Sequence, residues 1–315
     1  MIKYLIVQLS SLSTSFCHYK VADEDGETIS LDNLKEALRF SMKENLMLQV
    51  CYPPARLPEE FDNLLSAHPH VSIASYDSYY SKKADVLVFN SIKEFERFDL
   101  DDNAISILLL PATHLNDLCD IDETSLYRAG RLNIIIQEFE TISQQVIEQY
   151  KSILGIFSKK LEAIYRRRGT TQVNLLSDLF FTESMNNCNA GLDSISIAPN
   201  GRFYLCPAFY YNYPDFSIGS PQDGIIICNQ HLLRLDYAPI CRKCDSFHCK
   251  RCIWLNKQLT GEINTPSREQ CIIAHIERNE SKNLLERLRV VDPNFANGRT
   301  IDDIDYLDPF ELISR

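Results

Sequence analysis

The feature that most constrains this chain is a run of four cysteines within twelve residues, CRKCDSFHCKRC at positions 241–252. Its two CxxC pairs are separated by only four residues. Eight of the eleven cysteines lie from residue 188 to residue 271, and only three precede residue 180. Thiols concentrated in this way, in a chain without a recognisable secretory signal, indicate a metal or redox site more than a set of disulfides.

The cysteine run is compatible with two kinds of metal site, a zinc site and an iron–sulfur site. A structural zinc ion takes four tetrahedral ligands, which two CxxC pairs supply. Ribbon-type zinc sites, however, separate their pairs by a dozen or more residues, and this run lacks the glycines that let backbone amides turn toward the sulfurs. Iron–sulfur clusters take thiolates from more scattered positions, and the last cysteine of a crowded run can ligate a second cluster. That arrangement predicts partner cysteines, and Cys188, Cys206 and Cys271 are available.

Basic residues crowd the same segment. Between residues 241 and 257 there are five basic residues against one acid, in a chain whose net charge is -11. Cationic neighbours stabilise thiolates and offset the negative charge of thiolate-bound clusters. A solvated basic face beside any metal explains the pattern equally well, so both interpretations stay open.

Composition and motifs exclude several classes of protein. The chain has 315 residues, 45% hydrophobic and 24% charged, as in an ordinary globular protein of one large or two medium domains. The negative charge argues against a general nucleic-acid binder, and no apolar stretch is long enough to span a membrane. The apolar run near the N-terminus is too short for a signal peptide and predicts a first strand, so we expect a cytoplasmic protein. P-loop, G-x-G-x-x-G, G-x-S-x-G and H-E-x-x-H motifs are absent from the sequence.

Hydrophobic periodicity predicts an α/β fold. Short β-type runs alternate with helical segments in the first half, ending with a long helix at about 143–168, which indicates a mainly parallel sheet. A partial α/β barrel and an open sheet fit this pattern equally. The second half predicts a hairpin with Asn200-Gly201 at its turn, then the cysteine run, then a helix at about 267–290. We therefore predict an α/β domain at 1–183, a cysteine-rich metal-binding domain at 184–290 and an acidic tail at 291–315.

The order of the cysteines resembles that of the SPASM domain, the auxiliary-cluster module of radical SAM peptide-modifying enzymes. Cys188, twelve residues, Gly201, four residues and Cys206 precede the run, and Cys271 follows it. The resemblance covers about residues 185–275, with spacings inside the run slightly shorter than is usual in the family.

The resemblance implies two [4Fe-4S] clusters, with zinc as the alternative metal. One cluster would take Cys188, Cys206 and Cys252, and its fourth site would be open or filled by Cys228, His248 or a substrate group. The other cluster would take the remaining thiols of the set, which are Cys241, Cys244, Cys249 and Cys271.

The catalytic motif of radical SAM enzymes, CxxxCxxC after the first strand, is missing. That region holds only Cys17, and the next cysteine is Cys51, so S-adenosylmethionine is not expected as a cofactor. With the stretches STSFCHY, NNCNAG, CPAFYY, DYAPICRKC and CKRCIWLN, most of the chain resembles the CXXX repeat peptide maturase family. The resemblance implies a degenerate radical-SAM-like partial barrel followed by a SPASM-like domain. It also implies a role in maturing a ribosomally made, Cys-rich precursor peptide together with a separate radical SAM maturase.

Other functions remain open, because the motifs identify no catalytic residue. The chain would equally serve as a non-enzymatic adaptor that binds the precursor, with structural zinc or iron, or as an electron-transfer partner of the maturase. Near the run, His248 is predicted to be a solvated loop residue. His275 is predicted to hydrogen-bond a group beside the metal, and Trp254 to shield the site from solvent.

Overall fold

The computed structural model of the protein describes residues 2–21, 26–185, 187–298 and 300–301. The predicted acidic tail at 291–315 falls mainly on residues 302–315, which lie outside the described residues. The chain forms two units, each built from two stretches of sequence: Met1–Val88 with Asn189–Tyr237, and Phe89–Cys188 with Ala238–Arg315.

The described strands and α-helices alternate through the first half of the chain and are irregular in the second. In chain order the strands are β1 (Tyr4–Gln8), β2 (Met47–Cys51), β3 (His70–Ser75), β4 (Val86–Phe89), β5 (Ala104–Pro111), β6 (Ala129–Gln137), β7 (Gln172–Val173), β8 (Ser194–Ile197), β9 (Phe203–Tyr204), β10 (Gly219–Ser220) and β11 (Gly224–Ile225). The α-helices are α1 (Leu31–Lys43), α2 (Glu59–Ser66), α3 (Ile92–Arg97), α4 (Glu123–Arg128), α5 (Gln144–Arg166), α6 (Pro207–Asn212), α7 (Ile253–Thr260) and α8 (Arg268–Arg289). No helix within the described residues is long and apolar enough to cross a membrane.

The first unit is built on strands in the order β4-β3-β2-β1-β8-β9. The pairs β3–β4, β2–β3, β1–β2 and β1–β8 are parallel, whereas β9 runs antiparallel to β8. In the same unit, β10 and β11 form a separate antiparallel pair. The central strands β1, β2 and β8 are largely buried, and Leu5, Val7, Val50 and Ile195 have no exposed surface. The prediction of an α/β fold with mainly parallel strands is confirmed.

The hairpin of β8 and β9 is confirmed as well. Ser196 pairs with Tyr204, and Ile197 with Phe203. Gly201 turns the chain at φ +75°, a left-handed conformation that glycine adopts without a steric penalty. A Cβ atom at this position would lie 2.6 Å from Nδ2 of Asn33, in the first turn of α1.

The second unit combines the parallel strands β5, β6 and β7 with the two longest helices. Helix α5 begins after Ser143, whose side chain accepts from the backbone N–H of Val146. Helix α8 begins with a capping box in which Ser267 and Gln270 bond reciprocally. Both helices agree with the predicted segments at 143–168 and 267–290. They pack against each other, and this contact positions the face of α8 that meets the cysteine run.

Candidate metal centre

Six of the seven candidate ligands belong to the second unit: Cys188, Cys241, Cys244, Cys249, Cys252 and Cys271. The seventh, Cys206, lies in the first unit, where it precedes helix α6. Cys228 also lies in the first unit and is exposed. None of the eleven cysteines forms a disulfide, which leaves the thiols chemically available to a metal.

The cysteine run is a succession of tight turns. A turn of 3-10 helix at Cys241–Lys243 is closed by the N–H of Cys244, which donates to the carbonyl oxygen of Cys241 over 3.0 Å. The N–H of Cys249 donates to the carbonyl oxygen of Ser246 over 2.9 Å. Cys252 then caps the N-terminus of α7. Such turns direct side chains from closely spaced positions to one side of the backbone.

Backbone amides point at two of the sulfurs. The N–H of Ser246 donates to Sγ of Cys244, and the N–H of Leu255 donates to Sγ of Cys252, both over 3.5 Å. Sulfur accepts such bonds best as a thiolate, and a helix N-terminus further favours the anion. Backbone amides thus hold two of the four sulfurs of the run, and Cys252 lies at the N-terminus of α7.

Cys188 lies against the end of the run. Its N–H donates to the carbonyl oxygen of Lys250 over 2.8 Å, and Nε of Arg251 donates to Oδ1 of Asn187 over 3.1 Å. These two bonds tie the segment before the β8–β9 hairpin to the second CxxC pair. The resemblance groups Cys188 with Cys252, and the backbone of Cys188 lies beside the residues that immediately precede Cys252.

One face of α8 meets the first CxxC pair. His275 Nε2 lies 3.5 Å from Sγ of Cys244, so its partner is a predicted ligand itself rather than a group beside the metal. One turn further along, Arg278 forms a buried ion pair with Asp245. Cys271 precedes His275 by four residues on the same helix, and residues at that spacing share a helix face.

Glu277 links three parts of the second unit, and sequence reasoning missed it. Its Oε1 accepts from the hydroxyl of Tyr150 in α5 over 2.8 Å, and its Oε2 lies 3.1 Å from Nε2 of His248. The prediction that His248 is solvated is wrong, because its ring is 5% exposed and bonded to this carboxylate. No sequence signal pointed to Glu277, because it follows His248 by twenty-nine positions.

Burial and neighbouring thiols control the charge of the cysteines. Burial raises the pKa of Cys249 to about 12, although the backbone N–H of Arg251 opposes this, and Cys244, Cys241 and Glu277 raise it further. Burial raises the pKa of Cys241 to about 11, with Cys244 adding to the effect and Arg251 opposing it. Both groups are therefore neutral thiols at pH 7 unless a cation replaces their protons, which is what a metal does.

Arg251 carries a positive charge into this region. It is 4% exposed, and burial lowers its pKa, whereas the thiols of Cys241, Cys249 and Cys188 raise it. Its backbone is left-handed, with φ +43°. The interpretation of the basic residues as a wholly solvated face is therefore wrong for Arg251, although Arg242 and Lys243 are exposed.

Several buried polar atoms around the run have no hydrogen-bond partner within the described part of the chain. They include Oγ of Ser246, Nδ1 of His248 and Nε1 of Trp254. The hydroxyl of Ser246 and Nε1 of Trp254 are donors, and such donors suit the bridging sulfides of an iron–sulfur cluster. Nε2 of His248 donates to Glu277, so Nδ1 of the neutral ring is an acceptor. Oδ1 of Asp245 is also unpartnered, and as an acceptor it does not suit a sulfide.

Within the described residues, the four sulfurs of the run do not all lie as close to one another as the ligands of a mononuclear zinc site. Four thiolates on one zinc ion lie roughly 4 Å from one another, since each Zn–S bond is about 2.3 Å. Within the described residues of the second unit, the group of three or more ligand atoms lying within 4.8 Å of one another is Cys244, Asp245 and His275.

No protein-family model matches this chain, and no curated protein matches it.

Proposed function

We propose that this protein is an iron–sulfur accessory protein in the maturation of a ribosomally synthesised Cys-repeat peptide, acting with a separate radical SAM enzyme. One observation carries the proposal: six of the seven cysteines of a SPASM-like order belong to one unit, without disulfides and with buried donors around them. The fold proposed with it is a degenerate radical-SAM-like partial barrel, which the parallel α/β order of β1 to β4 supports.

In this proposal Cys241, Cys244, Cys249 and Cys271 hold one [4Fe-4S] cluster. The geometry that supports it is the position of the first CxxC pair against α8, the helix that carries Cys271. Nε2 of His275, 3.5 Å from Sγ of Cys244, would donate to that sulfur as a thiolate and hold the side chain in place. Trp254, which is 8% exposed, keeps water from the second CxxC pair.

The resemblance assigns the other cluster to Cys188, Cys206 and Cys252, and the support within the second unit concerns Cys188 and Cys252. Its fourth position would be left to a substrate thiolate. The bond from Cys188 to Lys250 supports the pairing of Cys188 with Cys252. An iron with an open position binds a thiolate, and a peptide with repeated cysteines supplies one. The chain's own residues would thus bind and orient the precursor, while the separate enzyme carries out the radical step.

Metal content tests the proposal. Protein purified and reconstituted without oxygen should hold about eight irons and eight sulfides per chain if both clusters are cubanes. Cys249→Ser should lose about half of this iron. Cys119→Ser is the matched control, since Cys119 lies in the same unit at the end of a 3-10 helix and outside the proposed set. Stoichiometric zinc with no iron, in protein never exposed to oxygen, would contradict the proposal.

The second candidate is an adaptor with a structural mononuclear metal, favoured by the convergence of Cys244, Asp245 and His275. Asp245 already forms an ion pair with Arg278, so a metal at this site would share its carboxylate with the arginine. Removing the metal separates the two candidates. An adaptor with a structural metal unfolds when the metal is removed, whereas a protein that uses its metal to hold the peptide stays folded and loses peptide binding.

A further inference from the structure

A cavity in the first unit has no part in the cysteine chemistry. Its volume is about 750 Å³, within the range of small-molecule sites. It is lined by residues of α2, of β3 and of the segments that flank them. Tyr52, Leu65 and Tyr80 form its buried wall and are 7%, 1% and 9% exposed. Every lining residue belongs to the first unit.

The two acids that line the cavity, Asp62 and Asp85, accept hydrogen bonds from neutral donors of the same unit. Oδ2 of Asp85 accepts from the backbone N–H of Ser72 over 2.8 Å and from its hydroxyl over 2.6 Å. Tyr80 accepts from the backbone N–H of Leu57 over 2.9 Å and hydrogen-bonds Asp62 with its own hydroxyl. Neither acid therefore needs a cation from the protein.

The cations of the cavity are Arg56, Lys82 and Lys83. Across the residues that the structure describes, no ion pair joins any of the three to an acid. The guanidinium carbon of Arg56 lies 5.3 Å from the ring centroid of Tyr79, a cation–π contact that holds it at the edge of the cavity. In a chain with a net charge of -11, three such cations around one concavity attract an anion.

The polar groups at the floor of the cavity are fixed in orientation. Nδ1 of His70 lies 2.8 Å from the carbonyl oxygen of His68, which can only accept, so Nδ1 carries the proton. Nε2 of a neutral His70 then accepts from the hydroxyl of Tyr52 over 2.9 Å. The Tyr52 oxygen keeps a lone pair for a hydroxyl of a ligand. Organised groups of this kind lower the cost of binding.

We propose that this cavity binds a small organic anion, with its phosphate or carboxylate group held by Arg56, Lys82 and Lys83. The proposal does not rest on the iron–sulfur function, and neither depends on the outcome of the other. Phosphate and carboxylate both present negatively charged oxygens to these cations. The experiment therefore uses one probe of each kind to tell a phosphate ligand from a carboxylate ligand.

Titration calorimetry on the full chain, with pyrophosphate and with citrate as probes, tests this site. At low salt at least one probe should bind with a Kd below about 1 mM. The Lys82→Gln/Lys83→Gln variant should weaken that binding by about tenfold or more, because two charges near the anion are lost. Lys43→Gln, an exposed lysine at the end of α1 in the same unit, should leave the affinity unchanged. The tighter probe identifies phosphate or carboxylate as the preferred group.

Two results would overturn the site. One is failure of both probes to bind at millimolar concentration. The other is equal weakening by the double variant and by Lys43→Gln, which would mean that the anion responds only to overall charge. Tyr52→Phe gives an independent check, since it removes the lone pair offered to a ligand hydroxyl. It should weaken citrate, which carries a hydroxyl, and leave pyrophosphate unchanged.

Discussion

The backbone N–H of Cys188 donates to the carbonyl oxygen of Lys250 over 2.8 Å, although the two residues are far apart in sequence. This bond brings the first cysteine of the set to the last CxxC pair. It also places Arg251 beside Asn187, with Nε of the arginine 3.1 Å from the amide oxygen. A buried arginine thus lies where two separated cysteine segments meet, and its charge would offset that of the thiolates formed when a metal replaces their protons.

Arg251 should be needed to retain iron. Arg251→Ala removes the buried charge and the bond to Asn187, so we expect a lower iron content after desalting and faster loss to a chelator. Arg251→Lys keeps the positive charge but lacks the planar guanidinium group, so its iron content should lie between those of the parent protein and Arg251→Ala. Iron and sulfide analysis of the three proteins measures this, and equal retention in all of them would show that the charge has no part in holding the metal.

The left-handed backbone of Arg251 predicts a separate effect on the metal-free protein. A non-glycine residue at φ +43° is strained, and glycine removes most of this strain. Arg251→Gly should therefore be more stable than Arg251→Ala by roughly 1 kcal/mol in urea unfolding, although both lack the guanidinium. The opposite order would show that the left-handed conformation is not kept in the variants.

Glu277 should stabilise the second unit through Tyr150 and His248. Glu277→Ala leaves a buried hydroxyl and a buried imidazole without their partner, so the free energy of unfolding should fall by about 3 kcal/mol. Glu277→Gln keeps an acceptor for Tyr150 and should lose only about 1 kcal/mol. Thermal and urea unfolding of metal-free protein measure both, with Glu148→Gln on the exposed side of α5 as the control.

Gly201 should be sensitive to substitution because its φ is positive and because a Cβ atom there would meet Asn33. Gly224 shares the first property but not the second, so comparing the two glycines separates the two effects. Gly224 also has positive φ, at +80°, but a Cβ there meets no atom within 4 Å. Gly224→Ala should cost about 1 kcal/mol from backbone strain alone. Gly201→Ala should cost more, because its Cβ also meets Asn33, and adding Asn33→Ala should recover that excess. Equal costs at the two glycines would mean that the asparagine side chain moves aside freely.

Sequence patterns predicted the local structure well, because local signals determine it. The serines that cap α5 and α8, Ser143 and Ser267, and the Asn200-Gly201 turn each act within a few residues. The division into two units, each made of separate stretches, depends on contacts between distant segments that no window of sequence contains. The burial of His248 follows from Glu277, twenty-nine positions later, and the sequence could not pair them. The cysteine set itself was visible because its spacing is a sequence property.

The acid stability of the second unit should depend on Glu162. Burial alone would raise its pKa, but hydrogen bonds from Arg287 and Arg166, at 2.7 Å and 2.6 Å, outweigh that effect and hold the pKa below its usual 4.5. A carboxyl whose pKa is lower in the folded state adds stability above its unfolded pKa and loses it as the pH falls through the folded value. Glu162→Gln should therefore be less stable than the parent protein at pH 7, and the two should converge as the pH falls below 4.5.

Urea unfolding at a series of pH values measures the difference, and Glu148→Gln, exposed on the same helix, is the control. A difference that stays constant as the pH falls below 4.5 would show that the two arginines stabilise the helix pair without the charge of Glu162.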